Sequence, residues 1–155
     1  FSLYDDLTIV ENIMFFGVIY GLNKSELNDK IQLLLEHLNL HDKKNELLKS
    51  LPLGWKQKLA FSTAVIHNPE IVFLDEPTGG VDPITRRQFW EMIYEKSSQG
   101  ITMFVTTHYM DEAEYCNRIS IMNEGRIEAM GTPTELKELY RTDSINNVFI
   151  KIARG

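Results

Sequence analysis

Apolar side chains return at helical intervals along the first forty residues. Thr8 and Glu11 have the spacing in which a hydroxyl and a carboxylate each take up an orphan amide at a helix start. A helix is therefore predicted from Ile9 towards Tyr20, stopped by Gly21. Leu27, Ile31, Leu34, Leu35 and Leu38 follow at spacings of four, three, one and three, a single stripe of a second helix. A polar bridge, His41 to Glu46, leads to Ser50-Leu51-Pro52-Leu53-Gly54, where proline and glycine interrupt. The helical pattern resumes from Trp55 to about His67.

The rhythm changes after Pro69. Ile71-Val72-Phe73-Leu74 is an unbroken apolar run and predicts a strand covered on both faces. Asp82 caps a helix that opens on Pro83 and reaches about Ser97; Ile101 to Thr107, rich in β-branched residues, predicts a second strand. Strand, helix, strand is a crossover, which implies parallel strands. Arg118 to Met122 and Arg126 to Met130 flank Asn123-Glu124-Gly125 as a hairpin. Thr132-Pro133-Thr134-Glu135 opens a short helix, and Val148 to Ile152 is expected to be one more strand. The sequence shows no repeat, low-complexity tract or linker, so one α/β unit is the economical description.

Composition narrows the function classes. The 155 residues, 43% of them hydrophobic, supply one domain's worth of core. Sixteen basic against twenty-two acidic side chains leave a formal charge of −6, which disfavours nucleic acid as a partner. The single cysteine, Cys116, can form neither an internal disulfide nor a thiolate zinc cluster, and suits a reducing compartment such as the cytoplasm. The longest apolar stretch, Ile13 to Tyr20, has eight residues even counting Gly17, against the roughly 20 needed to cross a bilayer. No export signal is expected. Starting at Phe1, the chain is expected to be a fragment.

Functional groups of open parallel sheets gather beyond the carboxyl ends of the strands. Asp75 and Glu76 end the first predicted strand and His108 follows the second, so parallel neighbours bring all three to one edge. Successive residues at a strand end point in different directions. One acid can then hold a hydrated divalent ion while the other faces a water molecule. The blander alternative is that an Asp-Glu pair merely begins a loop, as Asp111-Glu112 begins or lines a helix.

The flanking text decides between them. Phe73-Leu74-Asp75-Glu76-Pro77-Thr78-Gly79-Gly80-Val81-Asp82-Pro83, followed by Thr106-Thr107-His108 and preceded by the turn at Leu51 to Trp55, resembles the ATP-binding cassette ATPases in the order and spacing of four motifs. The resemblance covers essentially Phe1 to Tyr140. It implies a P-loop NTPase-like parallel sheet core with a helical signature-motif subdomain, truncated at the N-terminus. It further implies ATP and magnesium as cofactors, with Asp75 holding Mg²⁺ through water, Glu76 polarising or deprotonating the attacking water, and His108 bonding the γ-phosphate. The loop Leu51-Pro52-Leu53-Gly54-Trp55 matches the signature, whose helix end reaches the nucleotide of a second cassette. Asp82 matches the D-loop aspartate at the same dimer interface. Leu3, Tyr4 and Leu7 match the apolar side of a groove that receives the permease; that they simply pack on the following helix is an equal alternative.

Departures qualify the match. The usual loop reads leucine, serine, glycine, glycine, glutamine, whereas this chain has Pro52, Leu53 and Trp55 at the second, third and fifth places. Loss of the serine hydroxyl removes a donor worth about 1.5–3 kcal/mol towards a charged acceptor. The variant resembles drug-exporter cassettes whose permeases are of the ABC-2 type. None of the nine glycines is followed by lysine, so there is no Walker A, and the Q-loop is missing too. The expected chain is thus part of an exporter's ATPase, poor in ATP binding by itself, peripheral on the inner face of the cell membrane, and partnered by an ABC-2-type permease and a second cassette, identical or not. Its expected divisions are 1–68 (helices and signature), 69–140 (α/β core) and 141–155 (tail). Rivals are a soluble cassette ATPase and a non-hydrolysing interaction fragment. Among smaller signals, His37 and His41 show no third metal ligand beyond Glu36 and Asp42, Arg86, Arg87, Lys56 and Lys58 are expected on exposed helix faces, and Phe15, Phe16, Phe89 and Trp90 are expected as core or helix-packing groups.

Overall fold

The computed structural model describes residues 3–154. Thr8 opens α1 (Ile9–Ile19) through the expected capping box: the Glu11 amide donates to Thr8 Oγ1 at 3.2 Å and the Thr8 amide to the Glu11 carboxylate at 2.8 Å. Gly21, at φ +81°, ends it in the left-handed region where glycine is unstrained. Asn23 caps α2 (Lys24–His37), whose Leu27, Ile31, Leu34 and Leu35 are buried, as is Leu38 beyond it. A Cβ on Gly17 would lie 2.3 Å from Cδ1 of the buried Leu27, so a larger residue there would have to displace that side chain. Asn12 is fully buried: it accepts from the Tyr4 amide at 2.8 Å and donates to the carbonyls of Tyr4 and Thr8, both at 3.0 Å. One side chain thus satisfies the backbone that enters α1.

The next helix, α3 (Leu53–Ala64), begins two residues before the expected Trp55, because Pro52 serves as its N-cap and Gly54 is absorbed into its first turn. Leu48, Leu51, Leu59 and Ile66 join Ile9, Ile13 and the α2 stripe in the main core of the first unit, which extends to Val105.

In that unit lie β1 (Ile71–Asp75), α4 (Pro83–Ser98) and most of β2 (Thr102–Thr106). The Thr102 amide, first in β2, donates to the Glu70 carbonyl just before β1 at 2.9 Å; strands joined start to start run parallel. Burial of β1 on both faces does not hold. Val72 is buried, but Ile71 is 48% and Phe73 70% exposed, beside Phe104 at 56%. The rings of Phe73 and Phe104 meet at 5.5 Å on one face, over which no second layer lies among the described residues. On α4, Phe89, Trp90 and Ile93 are buried, with Phe61 of α3 against Phe89 at 5.3 Å.

The second unit, from Thr106, contains α5 (Met110–Ala113), β3 (Ile119–Asn123), β4 (Arg126–Gly131), α6 (Pro133–Leu139) and α7 (Ile145–Arg154). The hairpin β3–β4 is antiparallel and turns through Glu124 and Gly125, at φ 48° and 76°, the pair of positive values that matches strand twist. The expected final strand is instead the helix α7. Ile145, Val148, Phe149 and Ile152 recur at three, four and seven residues, and they pack with Ile119, Ile121, Ala129 and Leu136. No helix among the described residues is long and apolar enough to cross a membrane.

Glu114 ties two of these elements, accepting from Lys137 Nζ of α6 at 2.7 Å and from the Ile145 amide of α7 at 2.9 Å. The Lys137 hydrogen bond, foremost, holds its carboxyl below the ordinary range. A lowered folded value gives stability that is present above the ordinary value of 4.5 and is lost as pH falls through the folded one. Glu114→Gln is expected to cost about 1–2 kcal/mol at neutral pH and to flatten the acid limb below the ordinary carboxyl range; urea denaturation across pH checks both.

Candidate functional site

The start of α3 follows from Pro52. Lacking a side-chain acceptor, Pro52 caps only through its carbonyl, which takes the Trp55 and Lys56 amides at 3.0 and 3.1 Å. The amides of Leu53 and Gly54 lead the helix with no acceptor among the described residues. Two unused donors stand at the positive end of a 12-residue helix, chemistry that can attract an anionic oxygen. Leu51 is buried and Leu53 is exposed. Trp55 packs on the main core, with the Lys58 ammonium 5.0 Å over its ring.

Asp75 is the last residue of β1 and is exposed, as is Glu76. Glu76 stands at φ 44°, a left-handed conformation costing a side-chain-bearing residue about 1 kcal/mol or more. Its carbonyl accepts from the Gly79 amide at 3.0 Å, closing a turn over the buried Thr78. The two carboxylates are hard oxygen donors in reach of solvent, a set that suits a hydrated magnesium ion. Asp82 caps α4: its Oδ1 accepts from the amides of Ile84 and Thr85, both at 3.0 Å, and its Oδ2 from the Thr85 hydroxyl at 2.6 Å. That hydroxyl, first among the causes, holds the carboxyl below its ordinary value.

His108 belongs to the second unit. Its ring lies 4.2 Å from that of Tyr109. Thr107 Oγ1 donates to the fully buried Glu112 carboxylate at 2.6 Å and accepts from the Tyr109 amide at 3.0 Å, so the residues on both sides of the histidine are pinned. Leu3 and Leu7 are half-buried, Leu3 against the main core. Tyr4 is 51% exposed and meets Phe15 edge-on at 5.3 Å and Phe16 in a stack at 6.0 Å. Phe89 and Trp90 are core groups, whereas Phe15, 42% exposed, packs outside the core: with Tyr4 and Phe16 it forms an aromatic patch, and α1 also exposes Met14, Val18 and Ile19. No cluster of three metal-binding side chains occurs among the described residues; His37 faces Glu95 at 3.9 Å and His41 faces Asp42 at 3.9 Å.

The sequence motifs leave Gln57 and Thr85 unassigned, and they give Thr107 and Glu112 no role beyond a motif neighbour and a helix start. Thr85, three after Asp82, carried a local capping signal, and Thr107 adjoins the histidine. Nothing in the pattern marked Gln57, whose Nε2 donates to the Gly79 carbonyl 22 residues away at 3.1 Å.

The family model described as "ABC transporter" matches residues 1–79. A probable multidrug ABC transporter ATP-binding protein of Escherichia coli K12, YbhF, is 48% identical over 143 residues, covering 92% of this chain and 25% of that protein. The linearmycin resistance ATP-binding protein LnrL of Bacillus subtilis 168 is 35% identical over 145 residues, 93% of this chain and 47% of its own length. The chain therefore spans a quarter to a half of these relatives. Among solved structures, an ATP binding subunit of an ABC transporter superposes with TM-score 0.84 at 27% identity, covering 97% of this chain and 64% of that one. CbiO1 from Clostridium perfringens, part of the complex cbiONQ, gives 0.74 at 26% identity, covering 90% and 57%.

Thr107→Val removes the hydroxyl donor to the buried Glu112 carboxylate and is expected to destabilise the protein by about 1–3 kcal/mol in denaturant titrations, with Thr107→Ser close to wild type.

Proposed function

The chain belongs to the ABC transporter family, and from that premise we propose that it is part of the ATP-hydrolysing subunit of a membrane exporter. The observation that carries the reading is the strand end itself: two exposed carboxylates leave β1 at Asp75 and Glu76, followed seven residues after Asp75 by the Asp82 cap and approached by a helix start with two unused amides. The family relationship to a probable multidrug ABC transporter ATP-binding protein and a linearmycin resistance ATP-binding protein supports the exporter class.

In this reading Asp75 holds the water shell of a magnesium ion, which when bound neutralises charge on the phosphate oxygens. Glu76 takes a proton from, or polarises, the water whose oxygen attacks the γ-phosphorus as the bond to the ADP oxygen breaks. His108 hydrogen-bonds the γ-phosphate and orients that water. Leu51 to Trp55 address the nucleotide of a second cassette through backbone amides, Leu53 and Gly54 foremost, and Asp82 lies at the same interface. The Tyr4 and Phe15 aromatic patch, with Leu3 and Leu7, meets an ABC-2-type permease at the inner face of the membrane; amphipathic helices from a partner recognise such surfaces through apolar anchors. The functional divisions proposed are 1–68, 69–140 and 141–155.

The test uses the full-length protein with magnesium and ATP. Glu76→Gln is expected to lower phosphate release by about 10²–10⁴-fold while nucleotide stays bound; unchanged release would remove Glu76 from its role. Pro52→Ser, which returns a hydroxyl donor to the helix start, is expected to leave the rate unchanged or raised, and a large loss would show that the proline shapes the loop productively.

A further inference from the structure

Thr85 does more than complete the cap of α4. Its hydroxyl donates to Asp82 Oδ2 at 2.6 Å. A β-branched side chain has one χ1 to set, so this bond also fixes where the methyl points. It points at Gly54 of α3: a Cβ there would lie 2.5 Å from Thr85 Cγ2, well inside contact distance. Rotating the methyl away would break the bond to Asp82.

Three further contacts follow the same seam. Gln57 Nε2 donates to the Gly79 carbonyl at 3.1 Å, and Lys58 Nζ donates to Gln88 Oε1 at 2.6 Å. A Cβ on Gly80 would lie 3.4 Å from Leu53 Cδ2. Gln57 Oε1 is buried with no hydrogen-bond partner among the described residues, so the side chain accepts an unmatched oxygen to keep its nitrogen on Gly79.

We infer that this seam is a positioning device, in which Gln57 and Thr85 make the start of α3 and the 79–82 turn a single body. The Leu53 and Gly54 amides then move together with the Asp82 carboxylate. The inference rests on the reading above that both segments serve one ATP site. Gln57 and Thr85 are positioning residues: they act through Gly79, Asp82 and Gly54. Gly54 is small to admit the Thr85 methyl, and this demand comes from its own chain. With proline at position 52 the helix start offers a ligand only its amides, so their placement carries the whole interaction.

The experiment is a mutant cycle in the full-length protein, read by thermal unfolding and by steady-state ATPase kinetics. Gly54→Ala is expected to lower Tm and to reduce kcat about tenfold or more, as displaced binding groups do. Adding Thr85→Ser, which keeps the hydroxyl on Asp82 and deletes the methyl, is expected to restore Tm and most of kcat. If Gly54 is small only for a ligand's sake, Thr85→Ser leaves Gly54→Ala as poor as before, and the inference falls. Gln57→Leu is expected to lower kcat about tenfold with KM for ATP within about twofold and Tm little changed. An unaltered kcat, or a loss that simply follows Tm, overturns the positioning role. Should the wild-type protein fail to hydrolyse ATP, the functional reading is lost, while the Tm arm of the Gly54 and Thr85 cycle still upholds or overturns the seam.

Discussion

Parallel pairing of β1 with β2 is the constraint from which the candidate site follows. Strands that run the same way cannot be joined by a tight turn and need a crossover element, here α4. The chain must therefore leave β1 at Asp75, turn sharply, and start a helix. The turn uses a left-handed Glu76 and a Gly80 at φ +76°, and the helix start uses the Asp82 carboxylate. Acidic groups are gathered here by topology, and Asp82 is employed locally: it satisfies two amides and a hydroxyl of its own helix.

The helices before β1 give this edge its second wall. Burial of the α2 leucine stripe, at about 1.5–3 kcal/mol for each fully buried side chain, drives α1, α2 and α3 together. Two small or polar residues set the geometry of that packing: Gly17 lets α1 approach Leu27, and Asn12 absorbs backbone groups that would otherwise be buried without partners. The start of α3 is then carried against the start of α4, where a threonine methyl meets a glycine.

Particular elements show how far the pattern of residues could be followed. Thr8 with Glu11, Thr132 with Glu135 and Asp82 before Pro83 announced their helices because capping is chemistry within four residues. Trp55 was a poor guide to the start of α3, because a proline cap places glycine inside the first turn. The tail carried a three, four, seven apolar spacing, but its β-branched and aromatic residues suggested a strand; packing on β3 and α6 favours the helical face. Four apolar residues in a row promised a strand covered on both sides, whereas alternation puts Ile71 and Phe73 on a face that no described layer covers. Phe15 packs on Tyr4 and Phe16 outside the core, and hydrophobicity alone does not distinguish a core ring from one in a surface patch.

Sequence by itself determined the helix caps, the leucine stripe, the crossover unit and the order of the motifs carrying Asp75, Glu76, Asp82 and His108, since each is encoded by residues near one another along the chain. Tertiary structure alone decided that Gln57 reaches Gly79, that the Thr85 methyl faces Gly54, and which aromatic rings are buried. Those contacts join residues 22 and 31 positions apart in the first two cases. They exist only once elements distant along the chain are brought together by a core that no one of them could form by itself.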